Sequence, residues 1–354
     1  MLPAALLPLR LLNHGLLVPA APSPAALLGH LGPVQAQDYA HCLWAVGVRL
    51  PGSSAAAVEQ AVAERRLVRT WLLRGTLHLA AADDVRWLLA LVGPRLIRAG
   101  AAVYRQRELD AATLGRALAV LERLLAGQPP QPRRRLAEAL QQAGIRTDEQ
   151  RLYSLLHRAV LEGVICPAGR QGAEPTFALL DDWLPPAPVL APSEAVAELA
   201  RRYFRSHGPA TLADFAGWAG LPLGLAQQGL EAAQPGLVAA TSGGHTYWLP
   251  PPPAAVPEPP LGLLLPGFDE YLLAYKDRSP VLDPAFTRQV LTINGIFRPI
   301  IVVKGRVVGT WQRGLGKTAG VALRPFGELP PAAAEPLAAA QAAVERFWDT
   351  AGEA

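Results

Sequence analysis

Three times along this chain, helical apolar periodicity runs into a strand–turn–strand with glycine at its tip. The first run comprises SPAALLGHLGPVQAQ, AHCLWAVGVRL and SAAAVEQAVAERR, read as helices. It ends in LVRTWLLRGTLHLA, where β-prone residues flank Arg74-Gly75. The second passes through PRRRLAEALQQAG and DEQRLYSLLHRAVLEG to the glycine-rich hairpin VICPAGRQGAEPTFALL. The third begins at SEAVAELARRYFRSHG, continues through TLADFAGWAGLPLGLAQQGLEAA and closes in GLVAATSGGHTYWL. Ser23 before Pro24, and Thr211 three residues before Asp214, are helix-start signals. Helices followed by a two-stranded wing make a winged helix, an elaborated helix-turn-helix.

Proline-rich joints, GQPPQP, LPPAPVLAP and LPPPPAAVPEPP, separate the runs as semi-rigid spacers. Beyond the last joint the character changes. LGLLLPGFDEYLLAYKD, GIFRPIIVVKGRVVGTWQR and AGVALRPFGEL are β-rich, and EPLAAAQAAVERFWDTAG reads as a terminal helix. The expected fold class is α+β: winged-helix units at 1–110, 111–187 and 188–252, then a β-barrel-like domain with a terminal helix at 258–354.

Composition narrows the function classes. With 51% apolar and 18% charged residues over 354 positions, the chain is globular. It contains no uncharged apolar run of about 18 residues, so no membrane span is expected. The opening MLPAALLPLRLLNHGLL has no basic leader or cleavage site and reads as a first helix. Cys42 and Cys166 lack metal-ligand spacing, which argues against a structural zinc and suits a reducing cytosol. A net charge of +4 permits nucleic-acid binding without requiring it. Only Lys276, Lys304 and Lys317 are lysines. All other cations are arginine, which suits phosphate and base recognition, although a genome-wide taste for arginine codons produces the same bias. P-loop, GxGxxG, HExxH and GxSxG patterns are absent.

The stretch GPVQAQDYAHCLWAVGVRL places Gln35, Gln37 and Asp38 among apolar neighbours. Helix boundaries carry such residues, and on that reading the glutamines end one helix and Asp38 starts the next. The alternative is chemical. A glutamine is no general base at neutral pH, but its carbonyl accepts and its amide donates, so two of them can orient one water or grip a base edge.

VQAQD, RTWLLRGTLHLAAADDVRWLLAL, GPATLADFAGWAGL, LLLPGFDEYLLAYKDRS and NGIFRPIIVVKGRVVGTWQR together resemble the AlkZ/YcaQ-like winged-helix DNA glycosylases, in order and over nearly the whole chain. The resemblance implies tandem winged helices followed by a C-terminal β-barrel. It also implies a catalytic Gln–aliphatic–Gln/Asp signature, falling here on Gln35, Ala36 and Gln37. The Gln-Gln version resembles the branch acting on bulky or N7-alkylated purines; the Gln-Asp version resembles the branch that unhooks interstrand crosslinks.

N7-alkylation makes the purine cationic and weakens its glycosidic bond before any enzyme acts. What remains is to hold an oxocarbenium-like sugar and a water in line. On this reading Gln35, Gln37 and Asp38 are catalytic, with Asp38 supplying negative charge or polarising the water. Expected substrate contacts are Thr76, His78, Asp269 and Tyr271. Expected DNA contacts are Arg69, Arg74, Arg133, Arg134, Arg202, His245, Arg278 and Arg298. Structural roles remain open for all of these: a half-buried histidine, solvated helix faces, a tight turn, a buried polar network. No lysine neighbours the glutamine pair in sequence, so a Schiff-base mechanism lacks its amine and a monofunctional enzyme is expected. No metal or cofactor is expected. The expected partner is duplex DNA, met by a cytoplasmic, nucleoid-associated monomer. Competing readings are a winged-helix transcriptional regulator and a non-catalytic DNA-damage binder. A regulator would usually show a strongly basic recognition helix and a dimerisation element; no helix here has that charge density, and no heptad pattern sustains a coiled coil.

Overall fold

The two ends of the chain fold together. The computed structural model describes residues 2–148, 150–187, 190–314 and 320–349. Within it Met1–Ala61 and Val196–Ala354 make one compact unit, and Val62–Ala195 make a second.

In the first unit, the helix Leu2–Asn13 delivers Leu11, and the turn after it Leu16, to a core shared with Leu265, Tyr271, Val281, Val290, Ile300 and Val302. Removing such side chains from water contributes roughly 25 cal/mol per Å². The helix Pro24–Leu31 starts at Ser23, whose hydroxyl accepts from the Ala26 N–H at 3.3 Å. The helical reading of SPAALLGHLGPVQAQ is corrected after Leu31. Gly32 turns left-handed at φ +79° and donates to the Leu28 carbonyl, Pro33 has no N–H to continue the ladder, and Val34–Gln35 is a two-residue strand. The next helix, Tyr39–Gly47, begins at Asp38.

The third run forms helices Pro192–His207, Leu212–Ala219 and Leu223–Ala233, then the antiparallel hairpin Val238–Ser242/His245–Leu249. Thr211 and Asp214 make a reciprocal capping box at the start of Leu212–Ala219.

The expected barrel-like closure is also corrected. Among the described residues the strands pair as an open antiparallel sheet in the order Gly320–Pro325, Arg306–Gly314, Ile300–Val303, Leu263–Leu265. Four strands are too few to wrap a side-chain-filled interior, which takes about eight. Instead the helix Ala334–Asp349 packs against both edge strands, Leu263–Leu265 and Gly320–Pro325. LGLLLPGFDEYLLAYKD is only partly β: after Leu263–Leu265 it forms the short helix Glu270–Leu273, capped by Asp269.

The second unit holds the hairpin Leu67–Leu72/Thr76–Ala81, turned through Leu73 (φ +43°) and Gly75 (φ +79°). Helices Ala82–Ala99, Ala101–Gln106 and Ala111–Leu125 follow and have no counterpart in the periodicity described above. Arg133–Gln142 and Arg151–Leu161 then lead to the hairpin Ile165–Gln171/Glu174–Leu179, which Gln131–Pro132 extends to three strands. Among the described residues no helix is long and apolar enough to cross a membrane.

Candidate active site

The segment from Val34 to Asp38 rises from core to surface. Val34, Gln35 and Ala36 are buried, whereas Gln37 and Asp38 are exposed. The buried glutamine supports the exposed one: Gln35 Nε2 donates to Gln37 Oε1 at 2.6 Å. The Gln35 backbone N–H donates to Glu270 Oε1 at 3.2 Å, and the Trp218 indole N–H donates to Glu270 Oε2 at 2.7 Å. His207 Nε2 lies 3.6 Å from that second oxygen.

Asp38 caps the next helix through the His41 N–H, which donates to Oδ1 at 3.0 Å. Its other oxygen is 3.4 Å from His41 Nδ1. Partial burial holds the His41 pKa below its usual range; Asp38 opposes the shift and Arg313 adds to it. Gly267 is required beside this histidine, because a Cβ there would sit 2.7 Å from His41 Nδ1.

Asp38 and His41 stand at one side of an open cleft of about 530 Å³. Arg298, Arg313 and Arg324 also line it, with the Trp44 and Trp311 rings. Each indole N–H is spent on the sheet, Trp44 on the Leu264 carbonyl at 2.7 Å and Trp311 on the Leu265 carbonyl at 2.8 Å. The Arg313 guanidinium lies over Trp348, 4.1 Å from its ring centroid. Three guanidinium groups around one concavity suit a phosphate-bearing ligand. The strand register puts Arg324 across from Thr310, and the cleft takes Arg298 from the loop just before Ile300–Val303.

The other expected residues divide. Asp269 is buried in a two-point ion pair with Arg49 and also caps its own helix. The Tyr271 hydroxyl donates to the Gly305 carbonyl at 2.8 Å, and burial raises its pKa. Neither lines the cleft. Arg278 donates to the Leu272 carbonyl at 2.9 Å beneath the Phe297 ring. Arg202 pairs with Glu198 at 2.7 Å, and His245 is exposed where its hairpin strand begins. The remaining residues belong to the second unit. There His78 is buried opposite Thr70, with Nδ1 2.7 Å from the Thr76 carbonyl. Arg69 sits opposite Leu79 and Arg74 occupies the turn. Arg133 and Arg134 open their helix, where the Arg134 N–H donates to Glu174 Oε1 at 2.7 Å.

Sequence reasoning missed His41, Arg313, Arg324 and Glu270. His41 was signalled by its three-residue offset from an N-cap aspartate, which places it at the same helix entrance. Glu270 stood next to Asp269 in an otherwise apolar run, and a charge there must find a buried partner. Among the described residues no group of three or more His, Cys, Asp or Glu side chains is arranged to hold a metal ion.

A family model described as DNA glycosylase AlkZ-like matches residues 28–347. An interstrand DNA cross-link repair glycosylase of Streptomyces sahachiroi is 28% identical over 321 residues, 82% of either chain. The solved Streptomyces sahachiroi DNA glycosylase AlkZ superposes with a TM-score of 0.81 at 25% identity, covering 97% of this chain and 96% of that one. The matched span takes in the Gln35–Gln37 pair together with Trp218 and Glu270, which hold it, and the chain therefore belongs to the DNA glycosylase AlkZ-like family, hydrolases acting on N-glycosyl bonds.

Proposed function

We propose that this glycosylase is monofunctional and excises N7-substituted purines, including bulky and crosslinked adducts, from duplex DNA. The observation that carries the reading is the hydrogen-bonded amide pair. Gln35 is buried, and its side chain bonds Gln37, which is exposed one residue before Asp38, a lining residue of the cleft that also takes three arginines. Gln37 holds a water or the lesion edge, Asp38 offsets positive charge growing on the sugar, and Arg298, Arg313 and Arg324 bind flanking phosphates. The cationic base leaves as a neutral molecule, so the site needs little acid catalysis. The similar Streptomyces protein, an interstrand DNA cross-link repair glycosylase, supports including crosslinks among the substrates.

The same reading treats 1–110, 111–187 and 188–252 as winged-helix units, supported by the antiparallel hairpin that each contains. Thr76, His78 and the arginines of the second unit then add duplex contacts for an enzyme acting as a monomer on cytoplasmic DNA.

The test is base release from a duplex carrying one N7-methylguanine, read as alkali-sensitive breaks, with Gln37→Ala and EDTA controls. A parallel panel carries a bulky N7 adduct and a crosslink. Release by wild type, in EDTA and without strand cleavage before alkali, is the expected result. Tight binding of every lesion without release of any base would overturn it in favour of a damage binder.

A further inference from the structure

We propose that Glu270 is a positioning residue for the glutamine pair, an inference that rests on the glycosylase reading of that pair. Glu270 is 2% exposed and is not part of the cleft lining. A buried carboxylate is costly, and apolar packing of equal volume is often at least as stable, so stability alone does not account for it. Two of its donors point to another role. One is the backbone N–H of Gln35 itself, 235 residues away in sequence. The other is Trp218, whose ring also abuts Gly32: a Cβ on Gly32 would meet Trp218 Cη2 at 3.2 Å. The chain entering the motif is thus held at Gly32 by the outer ring of the indole and at Gln35 by the carboxylate, with the indole N–H joining the two holds.

This clamp is braced from behind. Asp214, of the capping box that starts the Trp218 helix, accepts the Lys276 N–H on Oδ1 at 2.8 Å. That contact ties the Trp218 helix to the segment following Glu270–Leu273. Gly32, Trp218, Glu270 and Gln35 therefore close a ring of contacts that sets the height of Gln35, and through its 2.6 Å amide bond the orientation of Gln37. A displacement of about 1 Å at a reacting group can cost on the order of a hundredfold in rate. Glu270→Asp withdraws the carboxylate by about that distance, and Glu270→Gln keeps the shape but removes the charge.

Single-turnover excision and hydrogen exchange on the intact protein test this. Glu270→Asp and Glu270→Gln should slow excision about a hundredfold while the Kd for lesion DNA changes less than about threefold. Exchange should accelerate in the peptide spanning Val34–Gln37 and not elsewhere. Combined with Gln37→Ala, Glu270→Asp should add no further loss, because both act through one amide. Should Glu270 variants fail to fold, Trp218→Phe removes both the donor to Glu270 and the Cη2 contact at Gly32, and should show the same pattern. Wild-type excision with unchanged exchange overturns the proposal, as do losses that multiply with Gln37→Ala. If wild type itself releases no base, the glycosylase reading fails instead, and unchanged exchange at Gln35 in Glu270→Asp then also removes the clamp.

Discussion

Arg49 and Asp269 grip each other at two points inside the first unit, Nη1 to Oδ2 at 2.8 Å and Nη2 to Oδ1 at 2.9 Å, with both side chains about 1% exposed. The guanidinium also donates to the backbone carbonyls of His14 and Ala45. Asp269→Asn keeps a helix cap but leaves the arginine charge uncompensated. We expect it to destabilise the protein by about 3–5 kcal/mol. Arg49→Lys should also be destabilising, since an ammonium cannot reproduce the fork. Urea unfolding midpoints measure both, and an unchanged midpoint for Asp269→Asn would refute the pair as a stabilising contact.

The observed capping role of Asp38 and its proposed catalytic role are separable. Asparagine caps helices as well as aspartate does, so Asp38→Asn removes the charge and keeps the cap, whereas Asp38→Ala removes both. The alanine variant should lose about 1 kcal/mol of stability and the asparagine variant almost none. Both should lose at least about tenfold in excision rate if the carboxylate offsets charge on the sugar. Full activity in Asp38→Asn would reduce Asp38 to a cap.

The cleft arginines should act on DNA without regard to sequence. Replacing Arg298, Arg313 or Arg324 by Gln should weaken binding of all duplexes alike. Each lost phosphate contact should flatten the slope of log K against log salt by about 0.9. A salt titration by fluorescence anisotropy reads this directly. An unchanged slope in all three variants would take the phosphates out of the cleft.

His14 makes the fold sensitive to acid. The Tyr275 hydroxyl donates to the His207 carbonyl at 2.7 Å, so the 2.9 Å contact between Tyr275 and His14 Nε2 requires the proton on that nitrogen. Among the described residues His14 Nδ1 has no hydrogen-bond partner, and burial first, then His207, Arg49 and Arg10, hold its pKa well below the ordinary 6.5. Above pH 6.5 the ring is neutral in both folded and unfolded chains and costs nothing. Below it the unfolded chain takes a proton that the folded chain refuses, so stability falls with pH until the depressed folded pKa is passed. The slope is at most about 1.4 kcal/mol per pH unit for one proton. His30 and His41, also held low by burial, share the acid limb. His14→Gln should therefore shallow the fall in Tm between pH 6.5 and 5 without abolishing it; an identical pH profile would count against the buried neutral ring.

Local chemistry was legible and distant pairing was not. Ser23, Thr211 with Asp214, and the three hairpins announce themselves within a few residues, because caps and turns are satisfied locally. Gln35 and Gln37 stood out as amides in an apolar setting, and the family resemblance gave them a chemical meaning. What held them did not stand out: nothing near residue 35 in sequence points to an acid at 270 or an indole at 218. The open sheet was misjudged for a related reason. β-rich sequence reports strands, while closure depends on whether edges meet each other or, as here, a helix such as Ala334–Asp349.

The pairing of chain ends has a temporal side. During synthesis the glutamine segment leaves the ribosome long before its carboxylate partner, 235 residues downstream. At roughly 5–20 residues per second that interval is on the order of tens of seconds. Throughout it Val62–Ala195 can assemble from contiguous chain, while the amide of Gln35 has nothing from residue 270 to grip. The anchored form of the glutamine segment is therefore among the last features of the molecule to form, and a polypeptide halted before residue 270 lacks the anchor for the motif it already carries.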